Sequence, residues 1–527
     1  MKRKEFLRNT IPVALLPSLL KPFSVRVMGE SPLLASLLNA YVETDRVLVL
    51  VQLNGGNDGL NTVIPLDQYS NYFNARSNIA VPEPRVLTLN GAPGVGLHPA
   101  MTGLQQLYHD GKLRLIQAVG YPNPNFSHFR ATDIWMSASN SNEVLTSGWA
   151  GRYLADQHPG YPDGYPSTTA PDPLGIQIGS TTSLAMQGPS ASMAISITST
   201  SNFYNLLNGV QDPAPDTRAG DALRYVRLVA QQTNAYAGRI VQAANNVPVQ
   251  GTYPSNNTLA DQLKIVARLV KGGLKTRVYM VSIGGFDTHA SQVVGTDTAT
   301  GTHATLLQRV SDAIKAFQDD LQSLGVADRV MGMTFSEFGR RIRSNSSVGT
   351  DHGAAAPMFI FGNKVNPGVL GVNPTIPANP LVNDNIPMQY DFRSVYASLL
   401  QDWFCADAAT LQTTLLQNFQ SLSLCAGGLC DIPTSVTDRR SSGQVLVKNH
   451  PNPFTETTTI SFTTRGGHTL VQIMDAQGRL IRTPVDRDYA AGTYQTGFDA
   501  YGLPAGVYYM RLQNGSFQQV KAMLKVR

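Results

Sequence analysis

Val47-Leu-Val-Leu-Val-Gln-Leu53, followed at once by Asn54-Gly-Gly-Asn-Asp-Gly-Leu-Asn61, decides how the larger part of this chain folds. The first seven residues are apolar except for Gln52, so neither face of an extended chain is left for water. Such a run is predicted as a strand buried on both sides. The next eight residues are small, polar and Gly-rich, as a turn leaving the end of a strand requires. Three more runs have the same character: Leu113 to Val119, Val278 to Ile283 and Val330 to Phe335. Met358 to Phe361 is a shorter fifth.

Helical patterns lie between these runs. Asp261 to Leu274 places Leu263, Val266, Leu269 and Val270 on one face. Thr305 to Leu324 does the same with Leu306, Val310, Ile314, Phe317, Leu321 and Leu324, and Gly325 stands where a glycine ends a helix. Strands alternating with helices predict an α/β fold, a mostly parallel sheet covered on both sides. Residues 160 to 257 are rich in Pro, Ser, Thr and Gln and read as an insertion of weaker order.

The ends of the chain differ from this middle. Lys2-Arg-Lys-Glu-Phe-Leu-Arg8 is a charged n-region before an apolar stretch, Ile11 to Leu20. Residues 1 to 30 are predicted to be an export signal, with spacer up to about residue 45. The phrase Arg3-Lys-Glu-Phe-Leu-Arg8 resembles a twin-arginine signal with one Arg replaced by Lys, which leaves the export route open. No apolar run reaches the roughly 18 residues that span a bilayer. Toward the other end, residues 431 to 446 are rich in Ser, Thr and Arg and read as a linker. From 447 to 527 every segment is short and alternating, as in Val520, Ala522, Leu524 and Val526. Turn signals separate these segments, predicting a small antiparallel β-sandwich.

Composition narrows the function. Charged residues are 15% of the chain, against about a quarter in ordinary soluble domains, and the net charge is only +5. That describes a neutral polar surface suited to the outside of a cell. It gives no basic stripe for nucleic acid. Of the three cysteines, Cys425 and Cys430 flank a short Ala-Gly-Gly-Leu loop and are the pair expected to close a disulfide in an oxidising compartment, leaving Cys405 over. Three unpaired thiols are the alternative.

Ligands of a parallel α/β sheet bind beyond the carboxyl ends of its strands. Polar clusters fall at those places: Asn54 to Asn61; Tyr121 to Arg130, leading into a helix; Gly284-Gly-Phe-Asp-Thr-His289; and Ser336-Glu-Phe-Gly-Arg340 with Gly349-Thr-Asp-His-Gly353. Taken singly, each has a plain reading. Asp58 forms a turn, Ser127 caps a helix, and Glu337 pairs with Arg340 at helical spacing. Taken together, Asp58, Asp287, His289, Glu337, Asp351 and His352 supply the carboxylates and imidazoles of a metal site. Ser127 stands where a helix N-terminus favours an anion. Arg130, one turn on, suits an anionic oxygen.

Two resemblances add to this. Asn449-His-Pro-Asn-Pro-Phe454, Asp475-Ala-Gln-Gly-Arg479, Leu503-Pro-Ala-Gly-Val-Tyr-Tyr509 and Lys521-Ala-Met-Leu-Lys-Val526 resemble the type A C-terminal sorting domain of the type IX secretion system. The resemblance implies periplasmic transit, passage across an outer membrane to the cell surface or beyond, and the type IX machinery as partner of residues 447 to 527. A carbohydrate-binding or spacer sandwich is the plainer alternative.

The loop Leu53 to Asn61, Ser127-His-Phe-Arg130, Ser147-Gly-Trp-Ala-Gly-Arg152, Gly285-Phe-Asp-Thr-His289, Phe335-Ser-Glu-Phe-Gly-Arg340, Gly349-Thr-Asp-His-Gly353 and Asp391-Phe-Arg-Ser-Val-Tyr396 resemble the domain-of-unknown-function family 1501, related to the alkaline phosphatase and sulfatase superfamily. That implies an alkaline-phosphatase-like domain over residues 46 to 430 and a metal-assisted hydrolase of phosphate or sulfate esters. It implies divalent metal ions (zinc, calcium, magnesium or manganese) and a small anionic ester or surface glycan as substrate. By the same resemblance Ser127 is the nucleophile, and Asp58, Asp287, His289, Asp351 and His352 are metal ligands, with Glu337 a candidate for a further one; Arg130 joins Ser127 as the second catalytic candidate through its place one turn on. The chain departs from the superfamily in spacing Asp287-x-His289 and in lacking a Cys/Ser-x-Pro-x-Arg motif, which argues against a formylglycine sulfatase. The competing function is a surface-binding or assembly protein that keeps the fold without turnover.

Overall fold

The computed structural model describes residues 44–200, 235–430, 447–475, 479–514 and 517–526. The stretches predicted as export signal, most of the spacer and the 431–446 linker, residues 201–234 and the middle of the 475–479 turn lie outside the described residues. The chain divides into two units, after Cys430.

In the first unit the order is β1 (Val47–Leu53), β2 (Leu113–Gly120), α1 (His128–Ser137), α2 (Trp149–Gln157), β3 (Gly175–Ile178), β4 (Ala194–Ile197), α3 (Thr258–Lys271), β5 (Val278–Ile283), α4 (Thr302–Ser323), β6 (Val330–Phe335), β7 (Arg340–Ser344), β8 (Thr350–His352), β9 (Ala356–Phe361), β10 (Gly368–Leu370), β11 (Tyr390–Asp391) and α5 (Phe392–Ser398), with shorter elements between. The main sheet runs β10-β2-β9-β6-β1-β5-β3-β4, with β11 also on β2. β1 sits centrally, parallel to β5 and β6.

Alternation along β1 shows why the run had to be apolar throughout. Val47, Val49, Val51 and Leu53 join one core with Leu263, Val266 and Leu269 of α3 and Leu306, Val310 and Phe317 of α4. Leu48 and Leu50 join the opposite core with Ile134 and Trp135 of α1, Trp149 and Tyr153 of α2, and Phe392 and Tyr396 of α5. Each fully buried Val or Leu contributes about 1.5–3 kcal/mol relative to exposure. The helix ends are also written in the sequence. Asn257 caps α3 by accepting from the Ala260 N–H at 3.3 Å. Gly325, at φ +71°, ends α4, with Gly325 N–H bonded to Gln322 O and Val326 N–H to Leu321 O.

The mostly parallel, helix-covered sheet is as the sequence predicts, with three corrections. β9 is antiparallel to both of its neighbours, β2 and β6. The 160–257 stretch is not all weakly ordered, because it adds β3 and β4 to the sheet as parallel strands. The disulfide joins Cys405 to Cys430, and Cys425 is the free thiol. Cys425 pairs through its backbone with Val365, and its sulfur lies 3.8 Å from Met331 Sδ in the core, away from Cys430. Burial pushes that thiol up to about 12.

The second unit has β12 (Val447–His450), β13 (Thr457–Met474), β14 (Leu480–Asp499), β15 (Gly506–Asn514) and β16 (Phe517–Lys525), all antiparallel. They form one continuous sheet around a core that includes Ile460, Phe462, Val471, Ile473, Phe498, Met510 and Met523. Phe454 bonds through its backbone to both Leu524 and Val526, and Asn452 Oδ1 accepts from Leu524 N–H at 2.8 Å. The Asn-Pro motif after the first strand is thereby tied to the last strand. No helix among the described residues is long and apolar enough to cross a membrane.

Candidate metal centre

Four chain crossings converge at one end of the main sheet. β1, β5 and β6 are parallel, so the loops starting at Asn54, Gly284 and Ser336 leave from the same end. β2 leads from that end through Tyr121–Asn125 into α1. β9, running the other way, is entered from it directly after His352. Two glycines let these loops touch. Gly55 is at φ +123°, and a Cβ there would lie 2.2 Å from the Asp287 backbone nitrogen. A Cβ on Gly353 would lie 2.3 Å from the Arg340 carbonyl carbon.

Arg340 holds the crossing together. Its side chain is fully buried and donates to the carbonyls of Gly55, Gly56 (2.8 Å), Phe286 (3.1 Å) and Thr350 (2.8 Å), and to Asp287 Oδ1 at 2.7 Å. One guanidinium therefore ties the loops after β1 and β5 to β8. It does not pair with Glu337, because residues 336–339 are not helical.

Asp287, whose side chain is 48% exposed, is the centre of the cluster. His289 Nδ1 lies 2.6 Å from Oδ1, His352 Nε2 lies 3.3 Å from Oδ1, and His128 Nε2 lies 3.5 Å from Oδ2. His128, Asp287 and His352 each offer one ligand atom, and these atoms all lie within 4.8 Å of one another. Partial burial alone would raise the Asp287 carboxyl. The hydrogen bond and charge of Arg340, with the charge of His289, outweigh it and hold the group below the ordinary carboxylate range. Burial lowers the His352 imidazole, against the raising effect of the Phe126 carbonyl.

Behind the cluster stand fixed acceptors. Glu337, buried, takes His128 Nδ1 at 2.9 Å and the Gly55 N–H at 2.8 Å on Oε1. The Phe126 carbonyl takes His352 Nδ1 at 2.8 Å. Phe338 lies under both rings, with centroids 4.9 Å from His128 and 4.4 Å from His352.

The structure thus gathers Asp287, His289, Glu337 and His352, with Glu337 behind His128. It adds His128, which the sequence reading passed over although it stands inside the Ser127–Arg130 motif. Asp58 does not join them. It is fully buried, with both oxygens 2.8 Å from Arg76 NH1 and Oδ2 also 2.7 Å from Gln292 Nε2. Burial would raise this carboxyl, but the charges of Arg76 and His303 and the bonds of Gln292 and Arg76 bring it below its ordinary value.

Asp351 does not join either. It accepts from Asn345 Nδ2 at 3.0 Å and lies 3.6 Å from Arg341. Neighbours on a strand point to opposite faces, so His352 turns to the cluster and Asp351 away from it. Arg130 turns one nitrogen, NH2, to the carbonyls of Asn140, Ser141 and Glu143 and to Ser139 Oγ, while its NH1 is buried without a hydrogen-bond partner. Ser127, exposed at the start of α1, makes no side-chain capping bond to that helix.

A profile of the family described as "Protein of unknown function (DUF1501)" matches residues 45–404, and one described as "Secretion system C-terminal sorting domain" matches residues 448–526. The second match indicates a secreted or cell-surface protein. No curated protein matches the chain. Solved structures similar to it include a sulfatase from Pseudoalteromonas sp. (12% identity, TM-score 0.33, covering 89% of this chain and 88% of that one). A protein of the alkaline phosphatase superfamily from Vibrio parahaemolyticus is another (10%, 0.31, 93% and 84%). So is the lipoteichoic acid synthase of Listeria monocytogenes (9%, 0.29, 62% and 68%). Overlaps this loose bring no residue role or substrate to this chain.

Proposed function

The chain belongs to the DUF1501 family, and from that premise we propose that it is an exported, metal-dependent hydrolase of sulfate or phosphate esters. The observation that carries the reading is the focus shared by His128, Asp287 and His352 at the strand ends. Beside it stands a serine whose hydroxyl is not spent on its own helix. A divalent ion held by His128 Nε2, Asp287 and His352 Nε2 would supply positive charge to the ester oxygens. Ser127 Oγ then bonds to the sulfur or phosphorus. The ester oxygen leaves with the bonding electrons and takes up the proton that Oγ loses. Water next displaces the group from Ser127 and restores the hydroxyl. The first N–H groups of α1 favour the same anion. Export proceeds through the periplasm, with residues 447 to 527 engaged by the type IX machinery.

A second reading, a surface-binding protein without turnover, is favoured by Arg130. The guanidinium suited to an anionic oxygen gives NH2 to loop carbonyls and keeps NH1 buried, so neither nitrogen is exposed to an anion.

The metal-loaded chain, assayed on 4-nitrophenyl sulfate and 4-nitrophenyl phosphate, separates the two. Hydrolysis should vanish in Ser127→Ala while stability falls by less than about 1 kcal/mol, since no cap is lost. Undiminished turnover in Ser127→Ala would remove the nucleophile. No turnover in the unmutated chain would favour the binding protein.

A further inference from the structure

Resting on that reading, we propose that the His128–Asp287–His352 cluster selects a borderline transition-metal ion of the zinc class and does not hold calcium or magnesium. Two of its three donors are imidazoles whose tautomers the surrounding protein fixes. His128 Nδ1 faces Glu337 Oε1 at 2.9 Å. A carboxylate has no hydrogen to give, so the hydrogen sits on Nδ1. His352 Nδ1 faces the Phe126 carbonyl at 2.8 Å, and the same argument places the hydrogen there. In each neutral ring Nε2 is left with a lone pair.

Both lone pairs are turned toward the one carboxylate between them, at 3.5 Å and 3.3 Å from Asp287 oxygens. These separations exceed the roughly 2.7–2.9 Å of a charge-assisted N–H···O bond. The His128 Nε2–Oδ2 separation is close to the about 3.3–3.4 Å between donors around a tetrahedral ion with bonds of about 2.0–2.1 Å, and the ligand atoms of His128, Asp287 and His352 all lie within 4.8 Å of one another. Asp287 Oδ1 is already engaged by Arg340 at 2.7 Å and His289 at 2.6 Å, which leaves Oδ2 as the oxygen to bind.

The same residues disfavour hard cations. Calcium takes about six to eight oxygens, and magnesium an octahedron of oxygens with several waters. The other acidic groups predicted for such a shell are committed elsewhere: Asp58 to Arg76, Asp351 to Asn345, and Glu337 to His128 and Gly55. Imidazole donors backed by a carboxylate on one ring and a carbonyl on the other are the outer-shell arrangement that raises histidine basicity toward zinc-class ions. Glu337 is accordingly a positioning residue, acting through His128.

The test is metal binding by the full, metal-stripped chain in equilibrium dialysis against zinc, cobalt, calcium and magnesium singly. The visible bands of bound cobalt serve as a readout independent of activity. Zinc and cobalt should bind one per chain, and calcium and magnesium should not compete. His128→Ala and His352→Ala should abolish binding. Glu337→Gln, which keeps an acceptor for Gly55, should weaken it about 10- to 100-fold with an unchanged circular dichroism spectrum. Calcium or magnesium competing with zinc, zinc binding indifferent to both histidine substitutions, or no binding of any of the four ions would overturn the proposal. Zinc bound without ester hydrolysis would keep this inference and remove the hydrolase reading. Hydrolysis sustained by calcium would do the reverse.

Discussion

Asp58 and Asp287 follow the ends of neighbouring parallel strands, β1 and β5, and the sequence offers both as metal ligands. Their surroundings give them opposite tasks. Asp58 is sealed in, with both oxygens on one Arg76 nitrogen and Gln292 behind. Arg76 itself is fully buried and also donates to the carbonyls of Arg341 and Ile342, so the ion pair fastens the loop after β1 to β7. Asp287 is half open, is shared by Arg340 and three histidines, and among the described residues has Oδ2 approached by His128 at 3.5 Å while Arg340 and His289 take Oδ1. Depressed carboxyl groups result in both places, so a lowered pKa does not identify the reactive one. Exposure and uncommitted oxygens do.

The largest expected effect tests that division directly. Arg76→Ala leaves a carboxylate buried without its cation and should cost about 3–5 kcal/mol in urea denaturation. Asp287→Asn keeps an oxygen for Arg340 and should cost no more than about 1 kcal/mol, the range of partly exposed pairs, while abolishing metal uptake. If the two substitutions exchanged outcomes, with stability lost at Asp287 and metal lost at Arg76, the comparison would be wrong.

A smaller effect comes from the buried network on the Asp58 side. His303 lies with Nε2 3.1 Å from Asn57 Oδ1, and its ring meets His98 edge-on at 6.3 Å. Burial, with the neighbouring charge balance, lowers His303 to about 4 and His98 to about 3. Both unfold into water with values near 6.5. The unfolded chain therefore takes up protons first as pH falls. The stability these groups contribute is complete above pH 6.5, and by pH 5 each has lost about 2 kcal/mol. Asp58, depressed below its ordinary 3.8, adds nothing in that window, since its contribution is lost only as pH falls further. Denaturation midpoints should thus drop between pH 8 and pH 5, and His303→Gln should remove about half of the drop. A midpoint flat over that range would show that the two imidazoles are not held neutral.

How far the sequence carried can be judged from particular elements. β1, β2, β5 and β6 were legible because a strand buried on both faces must be apolar at every position, a constraint local enough to see. The direction of β9 was not, since an apolar run is the same read against either neighbour. β3 and β4 are four residues each and alternate only twice, too little to stand out from a Pro- and Ser-rich stretch. The short Cys425–Cys430 loop suggested the wrong disulfide because sequence distance says nothing of which way a sulfur points. At the metal centre the loops were legible, as a parallel sheet sends its carboxyl ends to one side. The fate of each carboxylate was not. Asp58 is decided by an arginine 18 positions on, after a short helix, Tyr69–Ala75, that carries no motif. His128 was in plain view beside the serine, and the presence of an imidazole at a strand-end loop was signal enough to have included it.

The smallest expected effect sharpens the comparison by its absence. Asp351 and His352 are consecutive on β8, and the pleat sends one away from the cluster and the other into it. Asp351 is 38% exposed at its side chain, its ion pair with Arg341 is 3.6 Å long, and it accepts a closer bond from Asn345 Nδ2. An exposed pair of that length is worth about 0–1 kcal/mol, and an asparagine oxygen accepts from Asn345 as well as a carboxylate does. Asp351→Asn should therefore shift the denaturation midpoint by no more than about 1 kcal/mol equivalent and leave zinc affinity within about two-fold of the unmutated chain, the scatter expected for a change outside the ligand set. A ligand lost at position 351 would instead lower metal affinity by orders of magnitude, as the His352→Ala chain is expected to show. Should Asp351→Asn behave like His352→Ala, the strand presents both side chains to the ion, and the separation of structural from ligating acids drawn here fails at this strand.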